Sequence, residues 1–200
     1  MMHDLYSYFK TVQSKSNSII RDIALLQDGG VKANKYRKET GLALIEGIHL
    51  LDTWVSAHNL ENLHTIITTP KGLENPQIYE LLLKCLDEFN QINDKPPEFI
   101  LLEEALKPLV TQMPEAPFIQ CLIKIPTNTK IDFSQDLVIL DAIQDAGNVG
   151  TILRTCAAAG IKQVICTKGT AALWSSKVLR AGMGAHVALK MMEGVLPNHI

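Results

Sequence analysis

Within fifteen positions the chain carries Asp141, Gln144, Asp145, Asn148 and Arg154, interleaved with Gly147 and Gly150. They follow the apolar run Leu137–Leu140, so carboxylate, amide and guanidinium groups gather in a loop at a strand's carboxyl end. In an open parallel sheet that is where ligands bind, and residues 141–150 and 167–171 flank the expected crevice. A nucleotide-binding reading fits poorly. G-x-G-x-x-G is absent, Gly147-x-x-Gly150 alone is weak, no acidic ribose ligand follows, and no G-K-[ST] marks a phosphate loop. Metal chemistry is not expected either. Cys85, Cys121, Cys156 and Cys166 are 36, 35 and 10 positions apart, and the six histidines show no H-E-x-x-H spacing. The cysteines read as reduced, mostly buried thiols.

The elements that position these groups follow from apolar spacing. Ile19, Ile20, Ile23 and Leu26 predict a helix stopped by Gly29-Gly30, and 32–40 a short helix or loop. Strands are expected at 42–45, 63–68, 99–102 and 118–125, alternating with helices over 46–59 and 78–89 and a short one up to Leu109. This first part is an α/β sandwich. Residues 126–135 are the linker candidate, beginning with Pro126-Thr127-Asn128-Thr129-Lys130. A second α/β unit follows. Its continuous strand over 137–140 is of the kind buried on both faces of a parallel sheet. Asn148 is the expected N-cap of a helix to Ala159 with Val149, Ile152, Leu153 and Cys156 on its buried stripe. Arg154 falls off that stripe. Further strands are expected at 163–167 and 186–191, with a helix over 175–183.

Taken singly, each candidate has an ordinary reading. Asn148 is a plain cap, Arg154 an exposed helix arginine, Lys177 and Arg180 a solvated face, Glu46-Gly47 a helix start and His186 a strand-end histidine. Charge adds context. The 200 residues carry a formal net charge of −2, 46% hydrophobic and 20% charged residues, an ordinary packed globule. That average hides a segregation. Residues 10–40 hold seven basic and three acidic groups, 74–105 eight acidic and two basic, and 148–190 six basic and no acidic. Two basic stretches can hold a polyanion between them, because phosphate binding follows local potential. Neither a membrane span nor a basic leader with an apolar run is present, so a cytoplasmic address is expected.

The ordered pattern turns the odds for all of these but His186. Residues 141–155 resemble the first signature of the SpoU (TrmH-like) family of RNA 2′-O-ribose methyltransferases, of the SPOUT superfamily. Lys177-Val178-Leu179-Arg180-Ala181-Gly182-Met183-Gly184-Ala185-His186 resembles its second. Upstream, 35–51 with Glu46-Gly47 looks like the small RNA-binding domain many members carry. The resemblance spans about residues 14–195. It departs at Ala146 and Ser176, where the family has Pro, and at Gly182, where it has Ser. The turn Met113-Pro114-Glu115-Ala116-Pro117 also replaces the family's Pro-Gln-Gly.

The resemblance implies an N-terminal RNA-binding domain over 1–125, the linker, and a parallel-sheet α/β-knot methyltransferase domain over 136–200. It implies S-adenosylmethionine as cofactor, structured rRNA or tRNA as partner, and a homodimer. Arg154 and Asn148 are the implied catalytic pair. A guanidinium is a very poor base, so clamping an RNA phosphate and easing hydroxyl ionisation is the role that suits Arg154. Lys35, Arg37, Lys38, Glu46, Lys177 and Arg180 are the implied RNA-facing groups, and Thr167 and Gly169 minor cofactor contacts. The third signature, expected to supply most cofactor contacts and the knot, does not follow within 136–200. Two functions are therefore expected in competition: methyl transfer by the full-length form, or RNA binding without catalysis. A small-molecule α/β enzyme is a weaker third.

Overall fold

A computed structural model describes residues 5–92, 95–127 and 129–196. Asn128 of the expected linker, Asp94, His3, His199 and the terminal 197–200 lie outside the described residues.

The first part is a mixed five-stranded sheet. Strands β1 (Phe9–Val12), β2 (Leu42–Glu46), β3 (Leu63–Thr68), β4 (Glu98–Leu102) and β5 (Ile119–Lys124) lie in the order β1-β4-β3-β5-β2. β1, β4 and β3 are parallel, and β5 runs antiparallel to both β3 and β2. Side chains alternate along each strand, so the sheet feeds two cores. Ala43, Ile45, Ile66, Phe99 and Cys121 enter one, and Leu44, Ile67, Ile100 and Leu122 the other. Helices α3 (Ile48–Ser56) and α5 (Pro76–Ile92), with the single turn α4 (Pro70–Leu73), lie towards the first core. Helix α1 (Ser18–Asp28), continued by α2 (Gly30–Thr40), lies towards the second.

The second part is a parallel three-stranded sheet, β6 (Val138–Leu140), β7 (Gln163–Thr167) and β8 (Lys190–Val195), with β7 central. Helices α6 (Ala146–Ala158) and α7 (Ser176–Gly182) pack on one face. Their side chains and those of Leu140, Val164 and Cys166 are continuous with the first core. α7 also packs on β2, which joins the two parts.

Four expectations change. β1 was not foreseen. Strand β6 is not buried on both faces, because Ile139 is 45% exposed. The strand expected at 186–191 begins at Lys190, since Gly184 turns in the left-handed region and a 3-10 turn occupies 185–188. Asp145 caps α6, its carboxylate accepting the Asn148 N–H at 2.7 Å, so Asn148 lies inside the first turn. No helix among the described residues is long and apolar enough to cross a membrane.

Candidate functional site

The site is built where α6 and α7 meet. A side-chain carbon at Gly150 would lie 2.7 Å from the Ala181 carbonyl carbon and 2.8 Å from the Gly182 nitrogen. Glycine there is therefore what lets the helices approach, and the approach places Arg154 over the end of α7. Its Nη1 donates to the Met183 sulfur at 3.0 Å. Met183 is itself unusual: it ends α7 at φ +46° and is 64% exposed. Left-handed backbone is uncommon for a residue other than glycine, and such outliers cluster at ligand sites.

One turn earlier, Arg180 reaches back to the first part. Its Nη1 stands 4.0 Å from Glu46 Oε2, and its Nη2 donates to Gln112 at 3.3 Å. Glu46 sits opposite Gln120 in the β2–β5 register, and that pairing explains its surroundings. Gln120 donates to it at 2.9 Å, Gln27 at 2.9 Å, and the Thr111 hydroxyl also donates. A buried carboxylate needs such partners. Glu46 is thus the centre of a buried polar network, not an open RNA-facing group, and it holds Arg180 in place. Below them lies a cavity of about 550 Å³ lined by Glu46, His49, Gln77, Met113, Arg180 and Met183, among others.

A second cavity, about 400 Å³, opens at the carboxyl ends of β7 and β8 against α2. It is lined by Thr167, Gly169, Trp174, Glu193, Arg37 and Lys38, among others. Thr167 is buried and its hydroxyl is committed, donating to Asp141 at 2.7 Å and accepting the Ala142 N–H at 3.0 Å. Gly169 turns at φ +102°. Arg37, expected as an RNA-facing group, is instead buried at 5% exposure. It donates to Asn34, while its Nη1 has no partner. Burial lowers its pKa, an effect Glu193 opposes. Glu193 is exposed as a residue, but its carboxylate accepts the Leu173 N–H. Removal of that carboxylate from water raises its pKa against the pull of Leu173, Arg37 and Lys38.

Other expected groups stay apart. Asn148 is exposed, and six residues from Arg154 it points about 120° away around the helix. Lys35 is exposed and pairs with Glu39 at 3.7 Å. Lys177 lies on the exposed side of α7, on the rim of a smaller cavity that Arg37 also lines. His186 is 4% exposed and unsuited to proton transfer at neutral pH. Burial pulls its pKa down to about 4, although Nε2 donates to the Leu173 carbonyl at 2.8 Å. All four cysteines are free and buried, and burial pushes Cys85 and Cys166 up to about 12. Among the described residues no three His, Cys, Asp or Glu side chains group as metal ligands.

Sequence reasoning missed Met183, Gln112 and the buried Gln27–Glu46–Gln120 network. The available signal was the pairing of β2 with β5, which needs the fold.

Comparison with known proteins shows what the chain is similar to. The model of the SpoU rRNA methylase family matches residues 136–195. Over those residues the chain is similar to the SpoU rRNA methylase family. The 23S rRNA (guanosine(2553)-2′-O)-methyltransferase RlmP of Bacillus subtilis (strain 168) is 27% identical over 192 residues, 96% of this chain and 68% of the relative. The mitochondrial rRNA methyltransferase 3 of mouse is 47% identical over 68 residues, 32% of this chain and 16% of that protein. An AdoMet-bound rRNA methyltransferase from Sinorhizobium meliloti shares the fold, with a TM-score of 0.70 at 23% identity over 94% of this chain and 65% of that one. The chain thus spans about two thirds of these two longer matches, and it shares the α/β fold of the Sinorhizobium meliloti structure.

Proposed function

We propose that the chain serves S-adenosylmethionine-dependent methylation of an RNA ribose 2′-hydroxyl, with rRNA the favoured substrate. The observation that carries this reading is the placement of Arg154 on Met183, beside Arg180 and an open cavity, at the junction of the two SpoU signatures. In this reading residues 1–125 recognise RNA, 126–135 link, and 136–200 serve methyl transfer.

The acceptor hydroxyl must shed its proton as it attacks, so the site has to orient the ribose and stabilise the developing negative charge. Arg154 is fitted to that by its fixed positive charge and forked donors, one branch resting on Met183. Asn148 lies in the first turn of α6, which Asp145 caps, and the amides of that turn add positive potential. Lys35, Lys38, Lys177 and Arg180 supply cations for the RNA backbone.

The β7–β8 cavity fits the cofactor on an observation of its own: the buried Arg37 Nη1 there lacks a partner. Arg37 and Lys38 suit a carboxylate, Glu193 an ammonium group, and Trp174 the face of an adenine. When bound, S-adenosylmethionine supplies an electrophilic methyl carbon. Thr167 holds the loop at Ala142 and does not offer its hydroxyl.

A second reading, RNA binding without catalysis, has one observation in its favour: neither Arg154 nor Asn148 lines the β7–β8 cavity. Calorimetric titration with S-adenosylmethionine, alongside labelled methyl transfer to unmodified rRNA transcripts, separates the two. The first reading predicts saturable cofactor binding and label on ribose. RNA binding with neither sinks it in favour of the second.

A further inference from the structure

We infer that the cavity between the start of α3 and the end of α7 seats one unstacked RNA nucleotide, base inside and ribose towards Arg154. The inference rests on the RNA-methylation reading and adds a recognition subsite to it.

Position is the first support. Met183 lines the cavity and also carries the Arg154 guanidinium on its sulfur, so a group filling the cavity reaches the surface beside that arginine. Size is the second. About 550 Å³ lies within the range of small-molecule sites and admits a nucleoside. The lining is the third. Met113, Met183 and Ile48 give soft, polarisable and apolar surface for a ring face. His49 and Gln77, both exposed, place a ring nitrogen and an amide where a base edge would present donors and acceptors.

The walls come from both parts of the molecule and are held firmly. The oxygens of Glu46 are occupied by Gln27, Thr111 and Gln120, and Arg180 stands against the same carboxylate. The carboxylate is therefore countered at the mouth and does not repel a phosphate. An exposed methionine in left-handed backbone is a cost in the free chain, and a stacked base would cover it. Part of the wall, Met113, Ala116 and Pro117, belongs to the turn where this sequence departs from the SpoU pattern. The subsite is accordingly expected to discriminate among bases in a manner particular to this chain.

The test is binding of a short single-stranded RNA bearing 2-aminopurine, followed by anisotropy and by the fluorescence of the unstacked base. Gln77→Ala with His49→Ala, and separately Ala116→Trp to fill the cavity, are expected to weaken binding roughly tenfold and to abolish the fluorescence rise. Their unfolding midpoints should match the parent's; if Ala116→Trp fails to fold, the double variant carries the test. Unchanged binding and fluorescence in the double variant, while Arg154→Ala weakens binding, overturns the subsite and leaves the RNA reading standing. Absence of RNA binding by the parent chain overturns both.

Discussion

The five-stranded sheet and the three-stranded sheet are packed in different ways. Strands of the first send alternate side chains into two cores, and residues such as Leu44, Ile67 and Leu122 are enclosed on the side away from the second part. The second sheet shares its helix-covered face with the first core, while on the opposite face Ile139 stands open. The candidate Arg154 site lies in neither sheet's centre. It lies at the end of α7, where the less enclosed part leans on the more enclosed one. The first residue of α7, Ser176, donates its hydroxyl to the Leu26 carbonyl of α1 at 2.9 Å, and the helix's last turn carries Arg180 and meets Arg154. A well-packed unit thus serves as the platform on which a thinner one is held.

This contrast can be broken by substitution. Leu122→Ala, in the doubly covered sheet, should cost about 2–5 kcal/mol in urea unfolding, whereas Ile139→Ala should cost less than about 1 kcal/mol. Equal losses would mean that the open face of β6 is covered in solution. Acid should act through the junction. His186 is neutral in the fold with its pKa near 4, while the unfolded chain binds a proton near 6.5. Its contribution is fully present above about pH 6.5 and falls away as pH drops towards 4, by about 3 kcal/mol in all. The urea midpoint followed between pH 7 and 4 should show this slope, and His186→Gln should flatten it. A smaller effect is expected at the other end of α7. Ser176→Ala should cost about 1 kcal/mol by loss of the bond to Leu26, and a double-mutant cycle with Arg180→Ala would show whether the two anchors act together.

Much of this architecture was legible in the sequence because it is set by local apolar spacing. β3, β5 and β7 are runs of buried residues bounded by turn signals, and α5 carries its apolar stripe through Ile78, Leu81, Leu82, Cys85 and Phe89. β1 was not legible, since Phe9–Val12 has a mostly exposed pattern and exists by pairing with β4, ninety residues on. Asn148 was the expected cap of α6, but Asp145, three residues earlier, takes that role. Arg37 and Glu46 were expected as RNA-facing groups, and their burial was not legible because their neighbours, Glu193 for one and Gln27, Gln120 and Arg180 for the other, are distant in sequence.

Two departures from the family pattern also acquire physical reasons. Ser176, where the family has proline, uses its hydroxyl to bind α1. At Gly182 a side-chain carbon would stand 2.9 Å from the His186 ring, so the missing serine matches a histidine packed against that backbone.

The most direct test of the Arg154 site is the rate of methyl transfer to an rRNA transcript by Arg154→Ala beside the affinity of the same variant for S-adenosylmethionine. With Arg154 acting at the acceptor hydroxyl and not lining the β7–β8 cavity, kcat should fall about hundredfold or more while cofactor Kd stays within about twofold. Loss of cofactor affinity in step with the rate, or an unchanged rate, would contradict it.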